Sequence, residues 1–401
     1  MIDFSFLLII IQSAVFITLV PGLFAKVYFT FSLFFFGVIP YLEFINEITY
    51  WGFPKITDSS YLITNSCLII ANLVFTIFYS TPSLFRRHIN TLKDFKENKN
   101  SEKISFFRIF ILSSASCFIF IYFNNFQVQN LFFRSGLSTN FELSQTESLV
   151  LDSIRLVPFA CFMIYFSHIN KFSFRVFILL FLVLVCTFPT SIPRFQAAAI
   201  YLTILTIFSP RIIYGINIPL LIIFSLLSIF PFLDQFRIYD LGLVGDPINL
   251  NFIFSGHFDS YQSLANVIQH NSITYGYQLL GPLLFFIPRY LWVDKPIGSG
   301  HFMAKSFNLD FTNISSNIYA EGYINFGFYG IFIFAALLGY LFGRASRQLN
   351  NHRLSSLNKF TLYYVAFYSF YILRGDLMSS IAYLAGFLTI LFFLKVSLVN
   401  P

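Results

Sequence analysis

The chain has 401 residues, 57% of them hydrophobic and only 11% charged, with 58 phenylalanines and a net charge of +7. No soluble globular class has that composition, so the chain reads as an integral membrane protein, and its positive balance is the ordinary bias of a cytoplasmic membrane face and no sign of nucleic acid as a partner. No P-loop, Gly-x-Gly-x-x-Gly, Cys-x-x-Cys or His-Glu-x-x-His occurs, which argues against an ATPase, a nucleotide-sugar enzyme and a zinc protease. Apolar runs of about 16–22 residues recur along nearly the whole length, each long enough at ~1.5 Å per residue to cross a hydrocarbon core of ~30 Å. In chain order they cover approximately 4–20, 23–40, 60–80, 106–123, 149–167, 174–189, 195–209, 216–233, 323–343, 359–373 and 380–398.

The predicted fold class is therefore an all-α polytopic membrane protein of about eleven transmembrane helices with a large outward loop region, because helices satisfy their own backbone in lipid and no alternating barrel pattern is present. It divides into N-terminal transmembrane helices over 1–233, an outward loop region over 234–322 and C-terminal transmembrane helices over 323–401. The first run lacks a basic leader and a cleavage site, and reads as a retained span. Pro21-Gly22 marks a break after it. Cys67, Cys117, Cys161 and Cys186 all fall within apolar runs and read as small buried hydrophobes, neither disulfides nor metal ligands.

Basic residues orient the spans. Arg86, Arg87, Lys93, Lys96, Lys99 and Lys103 share one loop, and Arg344, Arg347 and Arg353 another. Both loops are assigned to the cytoplasm, which turns 124–148, 190–194, 234–322 and 374–379 outward and leaves the C-terminus inside. The outward cations then need a reason other than topology.

Taken in order, Arg155 lies beside Asp152 on the fifth span and suits a structural pair, with an extension of the basic cluster as the other reading. Arg194 starts a helix in the outer hairpin after Pro189 and Pro193, as a site residue or as a snorkelling interfacial arginine. Arg237 follows the eighth span, with Asp234 and Asp240 as ordinary partners. The stretch "SGHFDSYQSL" sets His257, Asp259 and Tyr261 before an amphipathic run, where Asp259 suits a helix cap or a base. Tyr277–Phe286 is too short to span and reads as an interfacial or re-entrant helix. The loop after it, "PRYLWVDKPIGSGH", combines Arg289, Lys295 and His301 with the belt aromatics Tyr290 and Trp292. It reads as a flap over an anionic headgroup, with Gly298 and Gly300 as hinges, or as a passive cap. Asn317, Glu321 and Asn325 share one helical face at the mouth of the ninth span, where a carboxylate needs a partner, and Arg374 in "LRGD" supplies an outward arginine. A polyanion at the outer headgroup level is the simplest ligand these arginines share.

The order "FDSYQSL", "YGYQLLGPLLFFIPRYLWVDKPIGSGH", "AEGYINFGFYG", a basic cytoplasmic loop and "LRGD" resembles the oligosaccharide repeat-unit polymerases of bacteria, the Wzy or O-antigen polymerase family, over roughly residues 250–380. The resemblance implies a fold similar to the C-type membrane glycosyltransferases and an enzyme of the bacterial inner membrane. In that reaction the glycan on undecaprenyl pyrophosphate passes on the periplasmic face to an incoming carrier-linked unit, building O-antigen, capsule or exopolysaccharide. It implies no cofactor and no obligatory metal. Implied partners are the undecaprenyl-pyrophosphate-linked glycans and the lipid bilayer, with a chain-length regulator and a flippase beside them. On this reading Arg194, Arg237, Arg289, Lys295 and Arg374 bind pyrophosphate, and Asp259, His301 and Glu321 are the base candidates. An O-antigen ligase, transferring glycan to lipid A core, is the nearest alternative. A multispan solute transporter is the alternative from another class, but the halves of the chain show no inverted correspondence.

Overall fold

The computed structural model describes residues 1–81, 104–127, 131–132, 145–235, 250–351 and 353–399. The basic loop from Arg86 to Lys103 and most of the outward segment 124–148 lie outside the described residues. All regular structure among the described residues is helical. The principal elements are α1 (Ile2–Leu19), α2 (Leu23–Ile45), α3 (Asp58–Ser80), α4 (Phe106–Phe123), α5 (Gln145–Arg155), α6 (Val157–Ile169), α7 (Phe174–Cys186), α8 (Arg194–Phe208), α9 (Asn217–Leu233), α10 (Ser260–Gln269), α11 (Ser299–Ser306), α12 (Ile318–Leu349), α13 (Ser356–Arg374) and α14 (Leu377–Val399).

Each of the predicted apolar runs is helical. Seven helical segments among the described residues have the length and apolarity to cross a membrane: α1, α2, α3, α4, Val150–Ile169, α12 and Leu377–Leu398. The other four runs give α7, α8 and α9, which are apolar but shorter, and α13, whose ends carry Lys359 and Arg374.

The break between α1 and α2 follows from Pro21 and from Gly22, whose φ of +107° disfavours a side chain. Beyond it α2 runs through the middle of the bundle, with 89% of its apolar window buried. Its Ser32–Val38 stretch is a widened π-helical turn just before Pro40, which has no N–H to donate to the preceding turn. Around α2 the helices approach through small residues: a Cβ on Gly339 would lie 2.4 Å from the Phe75 carbonyl oxygen, and one on Gly343 would lie 2.2 Å from that of Tyr79. Here α12 and α3 touch backbone to backbone, as small residues permit in lipid.

The helix α12 is not straight. Phe326 and Gly327 leave helical geometry, Gly327 at φ +60°, and the backbones of Gly322 and Gly330 are forced together there. Residues 318–325 therefore form a short helix of their own at one end of the bundle, set off by this bend from the rest of α12. Against that end packs α10, buried from Ser260 to Ile268, so the predicted outward loop region is in part an extension of the core.

Candidate functional site

Arg374 ends α13 and Arg194 begins α8 right after Pro193, so both guanidinium groups project at helix termini. They meet at His257. The Arg194 Nη2 donates to His257 Nε2 at 3.0 Å, and the Arg374 Nε donates to the His257 carbonyl at 2.9 Å. A guanidinium only donates, so Nε2 is the acceptor in this contact. Each arginine also lies over an aromatic face, Arg374 at 5.1 Å from the Phe195 centroid and Arg194 at 5.3 Å from that of Phe252.

Asp259 anchors the pair. Its Oδ1 accepts from Arg374 Nη2 at 3.3 Å and from the Ser315 hydroxyl, while Oδ2 accepts from Trp51 Nε1 at 3.1 Å and the Ser315 N–H at 3.2 Å. The carboxylate is 1% exposed. Asp259 precedes α10 as expected of a cap, yet its side chain makes no cap hydrogen bond. The reason is competition: an arginine, an indole and a serine offer it donors that α10 would otherwise supply. Trp51 reaches it from the α2–α3 loop at φ +57°, and a Cβ on Gly256 would lie 2.0 Å from the indole ring.

Behind this layer sits a carboxylate that sequence reasoning overlooked. Glu43, at the end of α2, is buried, and its Oε2 accepts from Gln262 Nε2 at 3.1 Å, while Gln262 Oε1 takes the Tyr50 N–H at 3.1 Å. The same argument that singled out Glu321, a carboxylate in an apolar run, applies to Glu43. Burial, and then the Glu43 charge, pushes the Tyr50 phenol well above its ordinary pKa, and burial does the same to Tyr261, whose hydroxyl donates to Asn65 at 2.8 Å. Both phenols therefore keep their protons.

Glu321 does not bind Arg374, contrary to expectation. Its Oε2 accepts from the Ser299 hydroxyl at 2.7 Å and its Oε1 from the Leu377 N–H at 3.0 Å. Arg374 is drawn instead to Asp259, and Glu321 fastens the starts of α11 and α14 to α12. Asp376 supports the same junction through the Ser379 N–H at 3.0 Å and the Gly300 N–H at 3.4 Å. Asn317 caps α12 by accepting from Tyr319 and Ala320, both at 3.0 Å, and Asn325 accepts the Leu279 N–H at 2.8 Å. His301 follows this junction on α11, half-buried and without a hydrogen-bond partner among the described residues.

The loop from Pro288 holds itself. Arg289 donates to the carbonyls of Lys295 at 2.9 Å and Pro296 at 3.2 Å, and the Lys295 ammonium donates to those of Phe285 at 2.7 Å and Ile287 at 2.8 Å. Desolvation, then the nearby Arg289, lowers the Lys295 pKa. The interfacial helix expected over Tyr277–Phe286 is confined to Leu280–Leu283, with turns on either side. Gly298 and Gly300 are close-packed positions: a Cβ on one would lie 2.5 Å from the Asp376 carboxylate, and on the other 2.2 Å from the Ile314 carbonyl oxygen.

Arg155 pairs with Asp152 at 3.8 Å and donates to the Cys186 carbonyl at 3.0 Å and the Ser191 hydroxyl at 2.8 Å, so it is structural. Arg237 lies outside the described residues. All four cysteines are buried and free. The structure thus joins Arg194, Arg374 and Asp259, sets Glu321 and His301 at the adjoining junction, and gives Arg289 and Lys295 to their own loop.

Beside Phe195 lies a small apolar crevice between α8, α9 and α13, lined also by Ala198, Leu202, Leu226, Phe367 and Phe370. Phe195 belongs both to the crevice and to the face under Arg374. No family model, no curated protein and no solved structure matches the chain.

Proposed function

We propose that the chain is a membrane glycosyltransferase that polymerises glycans carried on a polyprenyl pyrophosphate at the outer face of the bacterial inner membrane. The observation that carries the reading is the pair Arg194 and Arg374, converging on His257, with Phe195 under Arg374 also lining an apolar crevice. A lipid-linked pyrophosphate has the charge for the two guanidinium groups and the tail for the crevice.

In the proposed step an acceptor sugar hydroxyl attacks the anomeric carbon of the growing glycan. The new C–O bond forms as the bond from that carbon to pyrophosphate breaks, and the electron pair leaves on the pyrophosphate oxygen. The guanidinium groups of Arg194 and Arg374 stabilise the charge that grows there. Asp259 serves as a positioning residue for Arg374, and Glu321 holds the junction that carries His301. With no partner among the described residues, His301 is the base we assign to the hydroxyl proton.

Cells lacking the chain and complemented with variants test the reading. Arg194→Ala and Arg374→Ala should leave protein in the membrane and reduce surface polysaccharide to single repeat units. A full polymer ladder from both variants contradicts it. Loss of every glycan from lipid A core, single repeats included, would instead favour a ligase acting at the same site.

A further inference from the structure

A second cavity, of about 480 Å³, lies at the end of the bundle opposite Arg194 and Arg374. Its walls come from the end of α1, the Pro21-Gly22 turn, the start of α2, the turn at 213–216 between α8 and α9, and the last residues of α12. By the basic-residue rule these segments face the cytoplasm. Most of the lining is apolar, including Ile17, Val20, Ile213 and Leu349.

Lys26 is the cation in that wall. It is 9% exposed, and its ammonium donates once, to the Ile213 carbonyl at 3.1 Å. Among the described residues it has no carboxylate within ion-pair distance. A buried ammonium without a counter-charge is costly, and an anion in the cavity would remove that cost. The surroundings favour one: α2 begins at Leu23 and α9 directly after Ile216, both in the cavity lining, which sets the positive ends of two helix dipoles beside the space. Arg211, just before Ile213, and Arg344, in the last turns of α12, are both exposed on segments that contribute to the wall. The ends of α1 and α12 contribute carbonyl groups beside them, which suit the hydroxyl or ammonium donors of a headgroup. The cavity is also preformed: the Tyr79 hydroxyl donates to the Pro21 carbonyl at 2.7 Å, and a Cβ on Gly22 would lie 2.1 Å from the Ser346 hydroxyl oxygen.

We propose that this cavity is a binding site for the phosphate of a membrane phospholipid of the inner leaflet, with Lys26 as its counter-ion and the apolar wall against the glycerol and upper acyl chain. The site is separate from the outer arginines and does not depend on what they bind. Free inorganic phosphate offers the same charge without the chain, and the two sources separate by experiment.

The full chain, purified in detergent, would be washed free of loosely held lipid, and its retained phospholipid extracted and counted by mass spectrometry. Wild-type protein and Lys26→Arg should retain about one phospholipid per chain more than Lys26→Met, and added phosphatidylglycerol should raise the melting temperature of the first two only. If Lys26→Met does not fold, Thr18→Trp, which fills the cavity from its lining, should lose the lipid while keeping a monodisperse profile. Equal retention by wild type and the variant that folds overturns the proposal. Stabilisation by millimolar inorganic phosphate equal to that by phosphatidylglycerol overturns the lipid as the source.

Discussion

Arg374 and Asp259 form a charge pair in which one partner is almost wholly buried. Removing one side of such a pair leaves a charge with no answer, which costs about 3–5 kcal/mol, whereas removing both with well-packed substitutes is near neutral. Arg374→Met should therefore destabilise the detergent-solubilised protein by that order, and Arg374→Met combined with Asp259→Leu should regain most of the stability without regaining transfer. Thermal unfolding read beside activity checks this, and recovery of activity in the double variant would remove Arg374 from the chemistry. At His301 the expectation is different: His301→Gln should lower turnover by about 10²–10⁴-fold, the range of a lost general base, with little change in stability or in KM. Pairings of this kind were the least legible part of the sequence. The residues themselves stood out as charges in an apolar chain, but Arg374 faced a choice between Glu321 and Asp259 that spacing does not decide. The choice is made by Ser299 and the Leu377 N–H, which satisfy Glu321 first. Trp51 and Glu43 were passed over because they lie far along the chain from the motifs they support.

Among the elements, the hydropathy pattern located every apolar helix, since a run that must hide its backbone in lipid has one solution. It did not show the bend in α12 or the short Leu280–Leu283 turn, because these depend on glycine conformations and contacts from elsewhere in the fold. The bend gives a test of its own. Gly327 stands at φ +60° and ψ −146°, a combination open essentially to glycine alone, so Gly327→Ala should cost about 1–3 kcal/mol. Gly330→Val should cost more, since even a Cβ there would lie 1.8 Å from the Gly322 carbonyl oxygen. Denaturant or thermal melts should rank the two in that order. Just before α10, Gly256→Ala should dislodge the Trp51 indole of the α2–α3 loop from Asp259. With Trp292→Phe as background, the fluorescence of the remaining tryptophan should shift to the red as the indole meets water.

For the whole molecule, the segments assigned outward by the basic residues, among them 190–194, the described part of 234–322 and 374–379, gather at one end of the bundle. Those assigned inward, at 20–22, 213–216 and 349–350, line the cavity at the other. That separation makes the orientation testable with single cysteines, as the four native ones are buried. Asp294→Cys should react with a membrane-impermeant thiol reagent added to the periplasmic side, and Tyr214→Cys only after the inner membrane is opened. The reverse pattern would turn the protein over and move the arginine site to the cytoplasm. The central claim is chemical, and the most direct measurement is transfer by the purified protein in lipid nanodiscs. Incubated with a polyprenyl-pyrophosphate-linked oligosaccharide repeat and no nucleotide sugar, wild type should release polyprenyl pyrophosphate and yield a ladder of longer lipid-linked glycans, and Arg194→Ala with Arg374→Ala should yield none. Absence of both products from folded wild-type protein, given repeats matched to the source organism, would contradict the account.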